Sequence, residues 1–185
     1  MRPIYPAFTL GTLAALVCAG DAHAQPRDVF PYPDDSVLAR DALPRVEEFA
    51  AARNFGEAVR VVQAVLDSDS ESVIESGEKQ LYIPVRSAVH SLLLKNPELL
   101  ERYRAASGPR AEALLKAGDI RTVERSYFLT PTGVVAAIAM AQLEVEAARF
   151  ESARLLLEQV PTHPDFGAGS NAADCAKVAS LLARY

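Results

Sequence analysis

Four arginines, Arg104, Arg110, Arg121 and Arg125, are the side chains of this sequence best suited to binding chemistry. A guanidinium keeps its charge at any physiological pH, and its planar fork of donors matches a carboxylate. Set along the concave side of packed helices, the four would line a groove that grips acidic side chains or a chain-terminal carboxylate. An opposing reading comes from spacing. Arg121, Glu124 and Arg125 recur at helical intervals, as do Glu98, Glu101 and Arg102. Mixed charges so spaced ordinarily form a solvated helix face worth a few tenths of a kcal/mol per pair. Both readings stay open at the level of sequence.

The remaining reactive residue types are scattered. His90 sits between Val89 and Leu92-Leu93-Leu94, and its neighbours one turn away are Arg86 and Leu94. Neither is a metal ligand, so a histidine at the edge of a core is expected. His163 lies in a proline-rich loop without other ligands nearby. The run Asp67-Ser68-Asp69-Ser70-Glu71 lacks the mid-loop glycine and the closing glutamate of a calcium hand. Gly-x-Ser-x-Gly, Cys-x-x-Cys, His-Glu-x-x-His and glycine-rich phosphate-loop patterns are absent from the sequence. A non-catalytic protein without metal or cofactor is the expectation.

Composition narrows the partners. The formal net charge is −5, and no basic cluster is present to engage phosphates, so nucleic acid is an unsuitable partner. The start of the chain reads as a leader: Arg2, then an uncharged apolar stretch from Phe8 to Ala19, then Ala22-His23-Ala24. This is the pattern of a secretory signal peptide over residues 1–24, and it places the mature protein in the periplasm or outside the cell. The apolar stretch is shorter than the about 20 residues a permanent span needs, so no stable membrane insertion is expected after cleavage. The mature chain would keep one cysteine, Cys175. It reads as a small buried helix residue, with intermolecular pairing as the alternative.

The elements that must position these residues are helices. Residues 25–35, with Pro26, Pro31 and Pro33, read as an extended linker, and residues 36–185 as one helical domain. Asp41 is a candidate cap for a helix with Pro44 in its first turn. A second helix follows Asn54-Phe55-Gly56, with Ala58, Val61, Val62, Val65 and Leu66 on one face. Residues 72–84 change period, and the glycine in Glu75-Ser76-Gly77-Glu78 suits a turn, so a small β-hairpin is expected there. Helix resumes from Val85 to about Lys95. Asn96-Pro97 and Gly108-Pro109 each look like the opening of a new helix, and Gly118-Asp119 starts a short one from Ile120 to Ser126. Thr130-Pro131 would open the longest helix, roughly Pro131 to Ala148, with Val134, Val135, Ile138, Ala141 and Val145 on its face. Glu151 to Val160 follows. A last helix from near Asn171 is expected to be still running at Tyr185, so a fragment, a truncated product and a free-standing protein are all open readings.

Two turns share one grammar: Arg53-Asn54-Phe55-Gly56-Glu57-Ala58 and Ala148-Arg149-Phe150-Glu151-Ser152-Ala153. Phe55 and Phe150 would wedge helix ends, while Ala58 and Ala153 would allow close approach. A helix pair of this kind cannot bury both faces alone, so neighbours must stack. The grammar resembles the second half of a tetratricopeptide repeat, with Arg53 and Ala148 in place of its glycine and no tryptophan anywhere. The resemblance implies a mostly α fold: a right-handed stack of antiparallel helix pairs with one small β-hairpin inserted.

A second resemblance covers about residues 45–160. Tyr82-Ile83-Pro84-Val85-Arg86-Ser87-Ala88-Val89 is followed by Leu100-Glu101-Arg102-Tyr103-Arg104, Gly108-Pro109-Arg110-Ala111 and Arg125-Ser126-Tyr127-Phe128-Leu129-Thr130. This order is similar to the helical N-terminal region of large planctomycete-type envelope proteins that carry a PQQ-binding-like (BamB-like) β-propeller. The blades are missing here, so nothing about quinone binding passes to these residues. Two functions follow as expectations. One is a non-catalytic scaffold or protein-interaction module of the cell envelope, presenting a groove to a protein partner or docking onto its own C-terminal module. The other is the N-terminal helical part of a larger envelope enzyme or PQQ-like propeller protein whose active module lies beyond Tyr185.

Overall fold

The computed structural model describes residues 35–76 and 81–184. The signal peptide expected over 1–24, and the linker expected over 25–35 apart from Asp35, lie outside the described residues. What is described is mostly helical, with one small antiparallel hairpin. In order the elements are α1 (Val37–Ala51), α2 (Phe55–Asp69), β1 (Val73–Glu75), β2 (Tyr82–Pro84), α3 (Val85–Lys95), α4 (Pro97–Lys116), α5 (Ile120–Ser126), α6 (Pro131–Glu146), α7 (Phe150–Gln159) and α8 (Asn171–Leu182). A single 3₁₀ turn, Val160–Thr162, follows α7.

Helix α1 begins earlier than Asp41. Ser36 caps it, its hydroxyl accepting from the Ala39 amide at 2.9 Å, and the helix then runs through Pro44. Pro44 cannot donate to the carbonyl four residues back, but burial of Ala39, Ala42 and Val46 against the neighbouring helices outweighs that loss. The same correction applies at Gly108-Pro109, which interrupts nothing: α4 is one helix of 20 residues and the longest described. A proline ring crowds both the amide and the Cβ of the residue before it. Gly108 has no Cβ, which removes part of that clash, and the helix continues.

The hairpin forms where the hydrophobic period changes, with Ile74 opposite Ile83 and Glu75 opposite Tyr82. Its strands are three residues each. It braces the start of two helices. The Ser36 amide donates to the Val73 carbonyl and the Val85 amide to the Ser72 carbonyl, both at 2.9 Å.

Three turns in the chain are built alike. α1 passes into α2 through Arg53, α4 into α5 through Gly118, and α6 into α7 through Ala148. In each, this residue has a left-handed φ: 58° at Arg53, 83° at Gly118 and 58° at Ala148. In each, the next amide reaches back five residues, Asn54 to Phe49, Asp119 to Leu114 and Arg149 to Glu144, at 2.8–3.0 Å. These are Schellman caps. Phe55 and Phe150 lie partly buried after two of them, and Ala58 and Ala153 are fully buried. Ile120 and Val123 hold the equivalent places in the third, where an aliphatic side chain hides the pattern from a search for aromatics. Arg53 and Ala148 occupy a conformation that costs an L-residue roughly 1–2 kcal/mol. Arg53→Gly and Ala148→Gly are each expected to stabilise the fold by about 1 kcal/mol, after glycine's own entropy loss. Urea midpoints read this directly; a decrease at either site would contradict it.

Helix α6 sits at the centre, against α4, α5, α7 and α8. Gly133, Val134, Ala136, Ala137, Ile138, Met140, Ala141, Glu144 and Val145 are buried on it, so more than one face is covered. Val135, expected on the inward stripe, is 45% exposed. The main core joins α1, α2, α3 and α4 to α6, α7 and α8, and a smaller cluster of Ala111, Val123, Tyr127 and Ala136 fills the space between α4, α5 and α6. Helix α8 does not run to Tyr185. It ends at Leu182, where the Ala183 amide closes onto Ala179 and Leu181.

Candidate functional site

Helix α5 has only seven residues, but their spacing sets its chemistry. Val123 is fully buried, and Arg121 and Arg125, one turn apart, fall on the side that faces a groove of about 560 Å³. Asp119 fixes the start of the helix by accepting from the Thr122 amide at 3.2 Å. α3 contributes Arg86 to the same groove, α6 contributes Met140 and Glu144, and the turn into α7 contributes Arg149. Leu155 and Leu156 of α7 supply an apolar flank, and Leu155 is 47% exposed.

Four guanidiniums and three carboxylates share this groove, and most are committed. Arg86 donates to Glu124 at 2.6 Å and to Gln159 at 2.9 Å. Arg149 forms a forked pair with Glu144, one arm at 2.9 Å. That hydrogen bonding holds the Glu144 carboxyl below the ordinary glutamate range, against the opposing effect of burial; the charges of Arg149 and Arg121 add to it. Glu144 is therefore ionised at neutral pH and is a poor proton donor.

Arg125 and Arg121 are the cations least occupied. Arg125 reaches Glu71 at 3.2 Å, but Glu71 is 78% exposed and such a pair is easily exchanged. The Nε of Arg125 is buried without a partner. Arg121 is exposed and has no hydrogen bond or ion pair among the described residues. An incoming carboxylate would find donors at both, with a leucine flank beside them.

The other two arginines named by the sequence lie elsewhere. Arg104, on α4, pairs with Asp165. Arg110 stacks over the Tyr127 ring, 5.9 Å from its centroid, and stands 4.0 Å from Asp67. The structure thus brings together Arg121 and Arg125, separates both from Arg104 and Arg110, and adds Arg86 and Arg149. Those two were visible only indirectly. Arg86 stood between the apolar Val85 and Val89, and Arg149 stood in the turn grammar that sequence reasoning read for packing alone.

His90 lies flat against Phe128, ring centroids 5.2 Å apart. Burial, aided by the nearby charge of Arg86, pushes its pKa down to about 3, so it is neutral at physiological pH. Cys175 is buried on α8, and burial raises its thiol pKa. No group of three or more histidines, cysteines or carboxylates among the described residues could hold a metal ion. No helix among them is long and apolar enough to cross a membrane. Comparison with known proteins finds no matching family model, no matching curated protein and no matching solved structure.

Proposed function

We propose that this protein is a non-catalytic, tetratricopeptide-like helical module of the cell envelope that binds an acidic, extended segment of a partner protein. The arginine groove between α3, α5, α6 and α7 carries this reading. Its buried carboxylates are already neutralised by Arg86 and Arg149, which leaves Arg121 and Arg125 to receive charge from outside. The side chains that face it support holding rather than turnover: guanidiniums neither take nor release protons near neutral pH. Export rests on the leader pattern over residues 1–24. The partner's carboxylates would displace Glu71, and its apolar residues would lie on Leu155 and Leu156.

The test is binding of a fluorescent peptide that alternates glutamate with leucine, read by anisotropy. Arg121→Glu and Arg125→Glu are each expected to weaken binding by about tenfold, since a hydrogen bond to a charged group is worth roughly 1.5–3 kcal/mol. Far-UV circular dichroism should not change, because neither side chain is part of the core. Equal affinity of the double variant and the parent protein would remove the reading.

The motif order over residues 45–160 favours a second reading, in which the groove receives this protein's own C-terminal module. Binding of that module in trans, with the same dependence on Arg121 and Arg125, would select it.

A further inference from the structure

The loop between α7 and α8 holds a buried titratable group, His163, whose ring nitrogens both meet backbone partners, and the groove makes no use of it. His163 is 3% exposed. Its Nε2 lies 2.8 Å from the Phe128 carbonyl oxygen and 3.1 Å from that of Thr130. Its Nδ1 lies 3.0 Å from the Asp165 backbone nitrogen. Carbonyl oxygens only accept and an amide only donates, so one protonation state fits: a neutral imidazole with hydrogen on Nε2 and a lone pair on Nδ1.

We propose that His163 is an acid-sensitive latch: protonation of Nδ1 frees the Val160–Ser170 loop from the Tyr127–Thr130 turn and loosens α8 from α6. A proton on Nδ1 would point at the Asp165 N–H. It would turn a hydrogen bond into a repulsion and leave a cation buried among carbonyls and aromatic rings. The charged and titratable groups around it make this worse or are already matched. Arg104, from α4, disfavours a second cation. Asp165, from the loop itself, could compensate, but its carboxylate is paired with Arg104. From α3 comes His90, stacked on Phe128, whose ring meets His163 edge-on at 5.2 Å. The side-chain amide of Asn171, at the start of α8, donates to the Asp165 carbonyl at 3.3 Å. Once Asp165 moves, α8 loses that hydrogen bond to the loop as well.

The direction of the pH effect follows from the burial of the ring. Burial holds the His163 pKa below the ordinary histidine value; the Phe128 and Thr130 carbonyls oppose that, and Arg104 reinforces it. In an opened loop the ring regains a pKa of about 6.5. The open form therefore binds more protons. The latch is at full strength above about pH 6.5 and weakens as pH falls, with the open population rising by up to about tenfold per pH unit.

Cys175, buried on α8, reports the opening. Its reaction with a dithiodipyridine, followed by mass spectrometry of the Cys175 peptide and normalised to unfolded chain at each pH, is expected to rise about tenfold between pH 6.5 and 5. Helical circular dichroism should persist over that range. His163→Gln, which keeps one donor and one acceptor but does not titrate, should flatten the response. A flat response in the parent protein, an unaltered rise in His163→Gln, or loss of all helical signal together with the rise would each overturn the latch. Should the glutamine variant fail to fold, histidine NMR on the parent protein decides: a His163 that stays neutral while Cys175 becomes reactive defeats the proposal.

Discussion

Replacing Gly133 with alanine is expected to destabilise the protein by at least about 3 kcal/mol. Gly133 lies in the first turn of α6, and the chain entering that helix folds back on it. The Thr130 amide and hydroxyl both donate to the Tyr127 carbonyl, at 3.0 and 2.8 Å, and the Gly133 amide donates to Thr130 at 2.9 Å. A Cβ on Gly133 would lie 2.0 Å from the Phe128 carbonyl oxygen and 2.5 Å from that of Tyr127. Both are backbone atoms and cannot swing aside as a side-chain tip would. The Phe128 oxygen also accepts from His163, so moving it disturbs the α7–α8 loop too. Gly56 is the control. A Cβ there meets nothing within 4 Å, and Gly56→Ala in the first turn of α2 should be neutral or stabilising by up to about 1 kcal/mol. Urea unfolding of the two variants makes the comparison, and a cost below about 1 kcal/mol for Gly133→Ala would refute the close approach described here.

Arg86→Ala is expected to cost roughly 2–4 kcal/mol. The Arg86 side chain is 20% exposed and that of Glu124 is 11% exposed, so removing the guanidinium strands a carboxylate that water reaches poorly. It also frees the Gln159 side chain. Arg86 thereby ties α3 to α5 and to α7, three elements that are not sequence neighbours. The measurement is a double-mutant cycle with Glu124→Ala. The double variant should lose at least about 1 kcal/mol less than the two single losses summed, because each single change leaves its partner uncompensated. Strict additivity would mean that the two groups act independently.

The helices were legible in the sequence wherever a boundary is made by local chemistry. Asn96-Pro97, Gly118-Asp119 and Thr130-Pro131 each combine a turn-prone residue with a helix opener, and each marks an actual start. The hairpin was legible because β-branched and aromatic residues cluster on both sides of a glycine. Pro44 and Pro109 misled because their effect depends on what surrounds them. A buried face of Ala39, Ala42 and Val46 overrides one, and the missing Cβ of Gly108 accommodates the other. The groove was half legible. Arg121 and Arg125 share a helix, so spacing alone brings them together. Arg86 and Arg149 join them through the packing of α3 and α6 on α5, which no periodicity encodes. His163 was passed over because its significance lies in three backbone partners, and backbone atoms leave no mark in a residue string.

The central place of α6 also bears on how the chain finds its structure. Its contacts are with α4, α5, α7 and α8, and α1 packs chiefly on α2, so most helix partners lie within one or two elements along the chain. Bringing them together closes short loops, and the entropy lost in closing a loop grows only with the logarithm of its length. A topology of this kind belongs with the rapidly folding helical domains, whose rates are set by local encounters rather than by a search across the chain. The long-range ties, Arg86 to Gln159 and Arg104 to Asp165, would then come last, fastening a bundle whose helices had already met.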